Sequence, residues 1–218
     1  MRIGKIEYES EIYNIVQETF VDSYRNLTYK AIAGCKWTST YCKSAKLILK
    51  ADDDALINVY SLFRHVESLQ RTGKVINNTI LCNVISGAHP VRTKNKWKVT
   101  KEEYPYNLYP PYCPGLGLIM TGDIIPKLYN QSLYEPYFWV DDVYFTGLLA
   151  QSLKIKHISL TGLVDFRTTN MFSEQSYFAN KLDGIYYHIK DRPISRLKWK
   201  KAYMAKQLLF GQRMPAIV

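Results

Sequence analysis

Hydrophobic and polar positions along this chain switch repeatedly between a helical and an extended rhythm. From Asn26 onward, Leu27, Ala31 and Cys35 recur at the spacing of one helix face. Just upstream, Ile12, Ile15, Val16 and Phe20 are spaced to share a buried side. Residues 46–51 carry the apolar run Leu47-Ile48-Leu49 and predict a buried strand. Leu56, Tyr60, Phe63 and Val66 then predict a helix beginning at about Ala55. The β-branched stretch Val75–Ile85 predicts one or two strands. The segment from Pro90 to Pro114 holds Pro105, Pro110, Pro111 and Pro114 and reads as irregular. Beyond it come a strand from Gly115 to Met120 and a short helix capped by Asp123 and running to about Tyr129. A helix over Val143–Leu153, a strand over His157–Leu160 and a basic amphipathic helix over Pro193–Leu209 complete the series. Strands that alternate with helices predict an α/β fold. The length suits one domain over residues 1–218.

Two acidic groups interrupt this pattern. Asp52, Asp53 and Asp54 follow the apolar run directly and precede the next predicted element. Three adjacent carboxylates repel one another, and a divalent cation with a preference for hard oxygen ligands relieves that repulsion. The position, after a strand, is where open α/β sheets bind ligands. A solvated Asp-rich turn accounts for the same residues about as well. Asp141-Asp142 opens the next-to-last predicted helix. A helix cap is the commoner use of such a pair. A general base near a metal site is the chemical one.

Composition narrows the field. Aromatics make 14% of the 218 residues, with 18 Tyr, 8 Phe and 4 Trp, which suits sites that stack on sugars or bases, although filling the core is their commoner use. The net charge of +10 admits an anionic partner. The basic residues are scattered, and the two denser groups, Arg92–Lys101 and Arg196–Lys206, lack the form of a nucleic-acid motif. No nucleic-acid partner is expected. The four cysteines form no CxxC pair and complete no zinc pattern with the histidines. N-x-S/T sequons at Asn26, Asn77 and Asn130 hint weakly at a luminal setting. No apolar run reaches membrane-span length, and no signal peptide opens the chain.

Six blocks, in order, carry a family resemblance: ESEIYNIVQETFVDSYRNLTYKA (9–31), Trp37 with Cys42, KADDDALIN (50–58), HPVRTKNKW (89–97), YPPYCPGLG (109–117) and DDVYFTG (141–147). His188 and Trp199 extend the match. The chain resembles the β-1,3-galactosyltransferases and β-1,3-N-acetylglucosaminyltransferases, Golgi enzymes of GT-A type. The order of the blocks is more specific than any one of them.

The resemblance implies a GT-A-like, Rossmann-type central sheet flanked by helices, with part of the N-terminal nucleotide-binding half missing. It implies an inverting hexosyltransferase that moves galactose or N-acetylglucosamine from a UDP-sugar to a hydroxyl of a glycan acceptor on glycoprotein or glycolipid, forming a β-1,3 linkage. Asp52, Asp53 and Asp54 match the acidic motif that binds Mn²⁺ (or another divalent cation) on the donor diphosphate, with Asp54 the expected direct ligand. His188 matches a histidine beside that metal, and Asp142 matches the catalytic base. Trp97, Tyr112, Gly115, Gly117 and Asp141 are expected acceptor or donor contacts, although core packing or tight turns also explain several of them. The family resides in the Golgi lumen as type II membrane proteins, so membrane contact is expected only through an anchor absent from this sequence. Cys42 and Cys113 match family cysteines and form the disulfide pair the resemblance suggests.

Three departures stand out. The chain starts near the end of the family's first strand region, which reads as an N-terminal truncation. VYFTG is one residue longer than the VYVG type. The segment after Gly147 lacks an expected cysteine. A rival reading follows from these departures: a catalytically inactive glycosyltransferase-like fragment acting as a binding or partner protein.

Overall fold

The computed structural model describes residues 15–52, 55–72, 77–160, 164–165 and 186–188. The first long element is α1 (Leu27–Tyr41), preceded by a 3₁₀ turn over Tyr24–Asn26. Next come β1 (Leu47–Ala51), β2 (Ala55–Ile57), α2 (Val59–Arg71), β3 (Thr79–Cys82) and β4 (Gly117–Thr121). Then α3 (Ile125–Ser132), a wide π-type turn over Val143–Leu148, α4 (Leu149–Ser152) and β5 (Lys156–Ser159) follow, with β6 (Val164–Asp165) and β7 (Tyr186–His188) last. The predicted C-terminal helix over Pro193–Leu209 lies outside the described residues.

A four-stranded mixed sheet runs in the order β1-β4-β3-β5. β4 is antiparallel to both neighbours, and β3 is parallel to β5. The carboxyl ends of β1, β3 and β5 therefore share one edge of the sheet. Pleating sends alternate side chains to opposite faces. Ile80 and Cys82 of β3 and Leu118 and Met120 of β4 pack with α1, α3 and α4, while Leu81 and Ile119 pack with Leu62 and Val66 of α2. Helices thus cover both faces, and the fully buried strands read as continuous apolar runs for that reason. A smaller sheet orders β2-β7-β6 and pairs Ala55 with His188.

Several local expectations need correction. Ala55–Ile57 is a strand, not the start of a helix, and the helix begins at Val59 with the Asn58 side chain accepting from the Ser61 N–H. Residues 46–51 do form a strand, but at a sheet edge, so that Leu49 is 39% exposed. Ile15 and Val16 lie on the surface instead of sharing a buried side. Asp123 does not cap the short helix; its carboxylate accepts from the Asn78 N–H and pairs with Lys127 at 3.3 Å. The disulfide joins Cys82 to Cys113, and Cys42 is a free, half-buried thiol. Cys42 ends α1, while Cys113 lies beside the end of β3, where Cys82 is its neighbour.

One side chain makes four of the hydrogen bonds that hold the irregular segment after His89. Arg92 donates from Nη1 to the carbonyls of Val99 and Thr100, and from Nη2 to those of Tyr104 and Tyr106, at 2.7–3.0 Å. A guanidinium with five donors in one plane can tie together a loop that makes no ladder of its own. Tyr104, Tyr109 and Phe138 then pack ring against ring at centroid distances of 5.1–6.1 Å and seat the loop on the core. Among the described residues, no helix is long and apolar enough to cross a membrane.

Candidate active site

Because β1 is an edge strand, one side of it faces α1 across an open cleft of about 720 Å³. Leu27, Ala31 and Gly34 of α1 line one wall, and Lys50, Asp52, Gly115, Asp141 and Asp142 line the end nearest the strand termini. The carboxyl end of β1 supplies Lys50 and Asp52. The register Ala51↔Gly117 brings the loop before β4, with Gly115, alongside them. The helical segment 141–152 enters from the core and delivers Asp141 and Asp142 at its start.

Gly115 is the meeting point. A Cβ built on it would lie 3.0 Å from Asp142 Oδ1 and 3.1 and 3.3 Å from the two Asp52 oxygens. Asp52 and Asp142 therefore converge on the space of a single methyl group, which glycine leaves open. The Gly115 N–H donates to Asp142 Oδ2 at 2.8 Å, orienting that carboxylate. Lys50 Nζ stands 3.9 Å from Asp141 Oδ2.

Its surroundings set Asp142 apart from an ordinary carboxylate. Burial pushes the Asp142 carboxyl up to about 7, and the Asp141 charge adds to the rise. Lys50 and the Gly115 N–H oppose the rise but do not cancel it. A carboxylate held near neutrality accepts a proton more readily than one at its ordinary value. Asp142 takes the Gly115 amide at hydrogen-bond distance, while the Lys50 ammonium stands beside Asp141.

The other expected site residues fall at different distances from this centre. Gly117 opens β4 and is buried in the ladder opposite Ala51. Tyr112 is half-buried, and its hydroxyl is raised by burial and then by the Asp142 charge, which places it near that carboxylate. Trp97 is 46% exposed and reaches the cleft only through Tyr24, to whose hydroxyl its indole N–H donates at 2.6 Å. The backbone of His188 pairs with Ala55, just beyond the acidic run. Asp53, Asp54 and the His188 side chain lie outside the described residues. Among the described residues, no three His, Cys, Asp or Glu side chains group closely enough to hold a metal ion. The facing oxygens of Asp52 and Asp142, with the negative charge of Asp141 beside them, have the hard-donor chemistry that a divalent cation requires.

Sequence reasoning missed Lys50, Tyr24 and Thr146. Lys50 carried a signal, a lone cation on the strand leading into three aspartates. Tyr24 and Thr146 lie inside two of the matched blocks, but nothing local marked their roles, since their partners Trp97 and Cys113 are distant in sequence.

The mixed sheet between helical layers, with an acidic cleft at its strand ends, is a GT-A-like α/β fold. The family described as "Galactosyltransferase" matches residues 2–161, and the chain belongs to it. Human beta-1,3-galactosyltransferase 5 is 35% identical over 153 residues, covering 70% of this chain and 48% of that protein. Mouse beta-1,3-galactosyltransferase 1 is 35% identical over 159 residues, covering 72% of this chain and 48% of that protein. The chain thus spans about half the length of the relatives it matches.

Proposed function

We propose that the chain is a UDP-sugar-dependent glycosyltransferase that transfers a hexose with inversion to a glycan hydroxyl, forming a β-1,3 linkage. Galactose is the preferred hexose in this reading, because the similar proteins are galactosyltransferases by name. The observation that carries it is the convergence of Asp52 and Asp142 over Gly115 at the carboxyl end of β1.

In the proposed reaction the acceptor hydroxyl enters between Asp142 and the anomeric carbon of the donor. Its oxygen bonds to that carbon while its proton passes to the Asp142 carboxylate. The anomeric C–O bond breaks on the opposite face, and its electron pair leaves with UDP. One base and tight positioning suffice, and no enzyme nucleophile is needed. Asp52, Asp53 and Asp54, with His188, would hold the Mn²⁺ or other divalent cation. That ion, when bound, neutralises the charge developing on the diphosphate. The charge of Asp141, which stands beside Lys50, raises the affinity of the base for the proton. Tyr112, close to Asp142, would contribute aromatic surface to the acceptor side, and Trp97 would act there through Tyr24. The Cys82–Cys113 disulfide suits an oxidising secretory compartment, and we assign the protein to the Golgi lumen on that basis and on the family's habit.

Calorimetric titration of UDP into the purified chain, with and without Mn²⁺, tests this reading. Mn²⁺-dependent binding that disappears in Asp54→Ala is the expected result. A well-folded chain that binds no UDP under either condition would transfer the case to the inactive, partner-binding reading.

A further inference from the structure

The VYFTG segment, which the resemblance reads as one residue longer than the VYVG type, lies in a widened stretch of helix. The segment Val143–Leu148 forms a π-type turn, in which the Leu149 N–H donates to the Tyr144 carbonyl five residues back. Such a turn absorbs one added residue without altering the helix on either side, and it occurs often beside functional groups. Thr146 sits within it and is 1% exposed.

The Thr146 hydroxyl has two tasks there. It donates to the Asp142 carbonyl at 2.6 Å, one turn back, and accepts the Cys113 N–H at 2.8 Å from across the core. Cys113 is itself bonded to Cys82 at the end of β3, and two residues further on Gly115 donates to the Asp142 carboxylate. Gly147 brings the same turn close to the loop, where a Cβ would lie 3.1 Å from Pro110 Cγ and 3.3 Å from Tyr112 Cβ. One hydroxyl thus clamps the backbone that bears the carboxylate to the loop that bears its hydrogen-bond donor.

We propose that Thr146 is a positioning residue for Asp142, and that its hydroxyl fixes the carboxylate against the Gly115 amide. The claim rests on the transfer reading only for its kinetic consequence. The geometry can be read without activity.

The experiment compares Thr146→Val, which keeps the shape and removes the hydroxyl, with Thr146→Ser, which keeps the hydroxyl. Glycine-selective ¹⁵N labelling reports the Gly115 amide, whose resonance is assigned by its disappearance in Gly115→Ala. In Thr146→Val the resonance moves and the amide exchanges with solvent at least about tenfold faster, as expected for a weakened hydrogen bond. In Thr146→Ser both return toward the parent values. With UDP-galactose as donor, kcat falls about tenfold to hundredfold in the valine variant while the donor KM stays within about twofold, and serine restores most of kcat. Should the valine variant fail to fold, Thr146→Ala carries the same readouts.

An unmoved Gly115 resonance in the hydroxyl-free variant overturns the proposal, whatever the rate does. So does a serine variant that shifts as far as valine, or an active parent whose kcat is unaffected by the loss. A parent chain that transfers no hexose, but whose Gly115 amide still responds as expected, leaves the positioning role standing and removes the transfer reading.

Discussion

Gly115 shows how little room the site has at the scale of single atoms. Its importance is steric, since a methyl group there meets carboxylate oxygens at 3.0–3.3 Å. Those oxygens end side chains that can yield by a few tenths of an ångström, so Gly115→Ala should keep the fold and spoil the alignment. Its melting temperature should stay within a few degrees of the parent, with transfer about tenfold or more slower, because small misplacements of reacting groups cost rate steeply. A variant as fast as the parent would show that the two carboxylates do not act together. The cysteines make a separate prediction. Cys35 is 4% exposed and its thiol is pushed up to about 12 by burial, whereas Cys42 is half-buried and free. Iodoacetamide should label Cys42 alone in the native, unreduced protein, with Cys35 joining it on unfolding, as intact-mass spectrometry and peptide mapping would read. That Asp52, Asp141 and Asp142 stand at one cleft was legible in the sequence, because like charges rarely sit together without a reason. The resemblance to relatives pointed to the wrong partner for Cys113, because a match of residue types says nothing about which pair lies in contact.

Elements differ in how far local pattern determines them. α1, β3, β4 and the irregular proline-rich segment follow from periodicity, turn residues and β-branching, all of which act within a few residues. β2 does not. Ala55–Ile57 is extended because it pairs with Tyr186–His188 far along the chain, and no local window contains that partner. The edge position of β1 was hidden for the same reason, since an apolar triplet suits a central strand equally well. The loop after His89 depends on Arg92, whose four carbonyl acceptors are spread over Val99 to Tyr106. Arg92→Met should cost about 2–4 kcal/mol, the scale of losing charge-assisted bonds whose acceptors can partly rehydrate. The same variant should be cut sooner by trypsin at Lys94, Lys96, Lys98 and Lys101. Equal cleavage rates in variant and parent would mean that the aromatic packing of Tyr104 and Tyr109 and the other hydrogen bonds of the loop hold it without Arg92. The covalent tie between β3 and the loop before β4 is separable from this. Closing a loop of sequence separation 31, it is worth about 3–4 kcal/mol by chain entropy, and a Cys82→Ala/Cys113→Ala pair should unfold correspondingly earlier in urea.

For the whole molecule, one half-buried histidine links the site's scaffold to pH. His157 lies in β5, opposite Ile80 of β3, and its ring Nε2 is 2.8 Å from the Thr146 carbonyl, within the π-type turn that follows Asp142. Burial lowers its affinity for a proton, and the hydrogen bond to Thr146 offsets only part of that loss. The folded chain therefore keeps the ring neutral at a pH where the unfolded chain, with an ordinary value near 6.5, has begun to charge it. Above that value neither state binds the proton, and the histidine leaves stability unaffected. As pH falls below it, the unfolded state takes up a proton that the folded state refuses, and stability declines until the pH passes below the folded-state value. Other groups titrate as well, with Asp142 raised and acting in the opposite sense. The measurement must therefore be a difference: urea unfolding of the parent and of His157→Gln, without added metal, at pH 7.5 and 5.5. The parent should lose more stability between those two values than the glutamine variant does, while glutamine can still donate to the Thr146 carbonyl. Equal losses would mean that the ring is open to solvent in the folded chain, and that the layer behind the π-type turn is looser than its packing indicates.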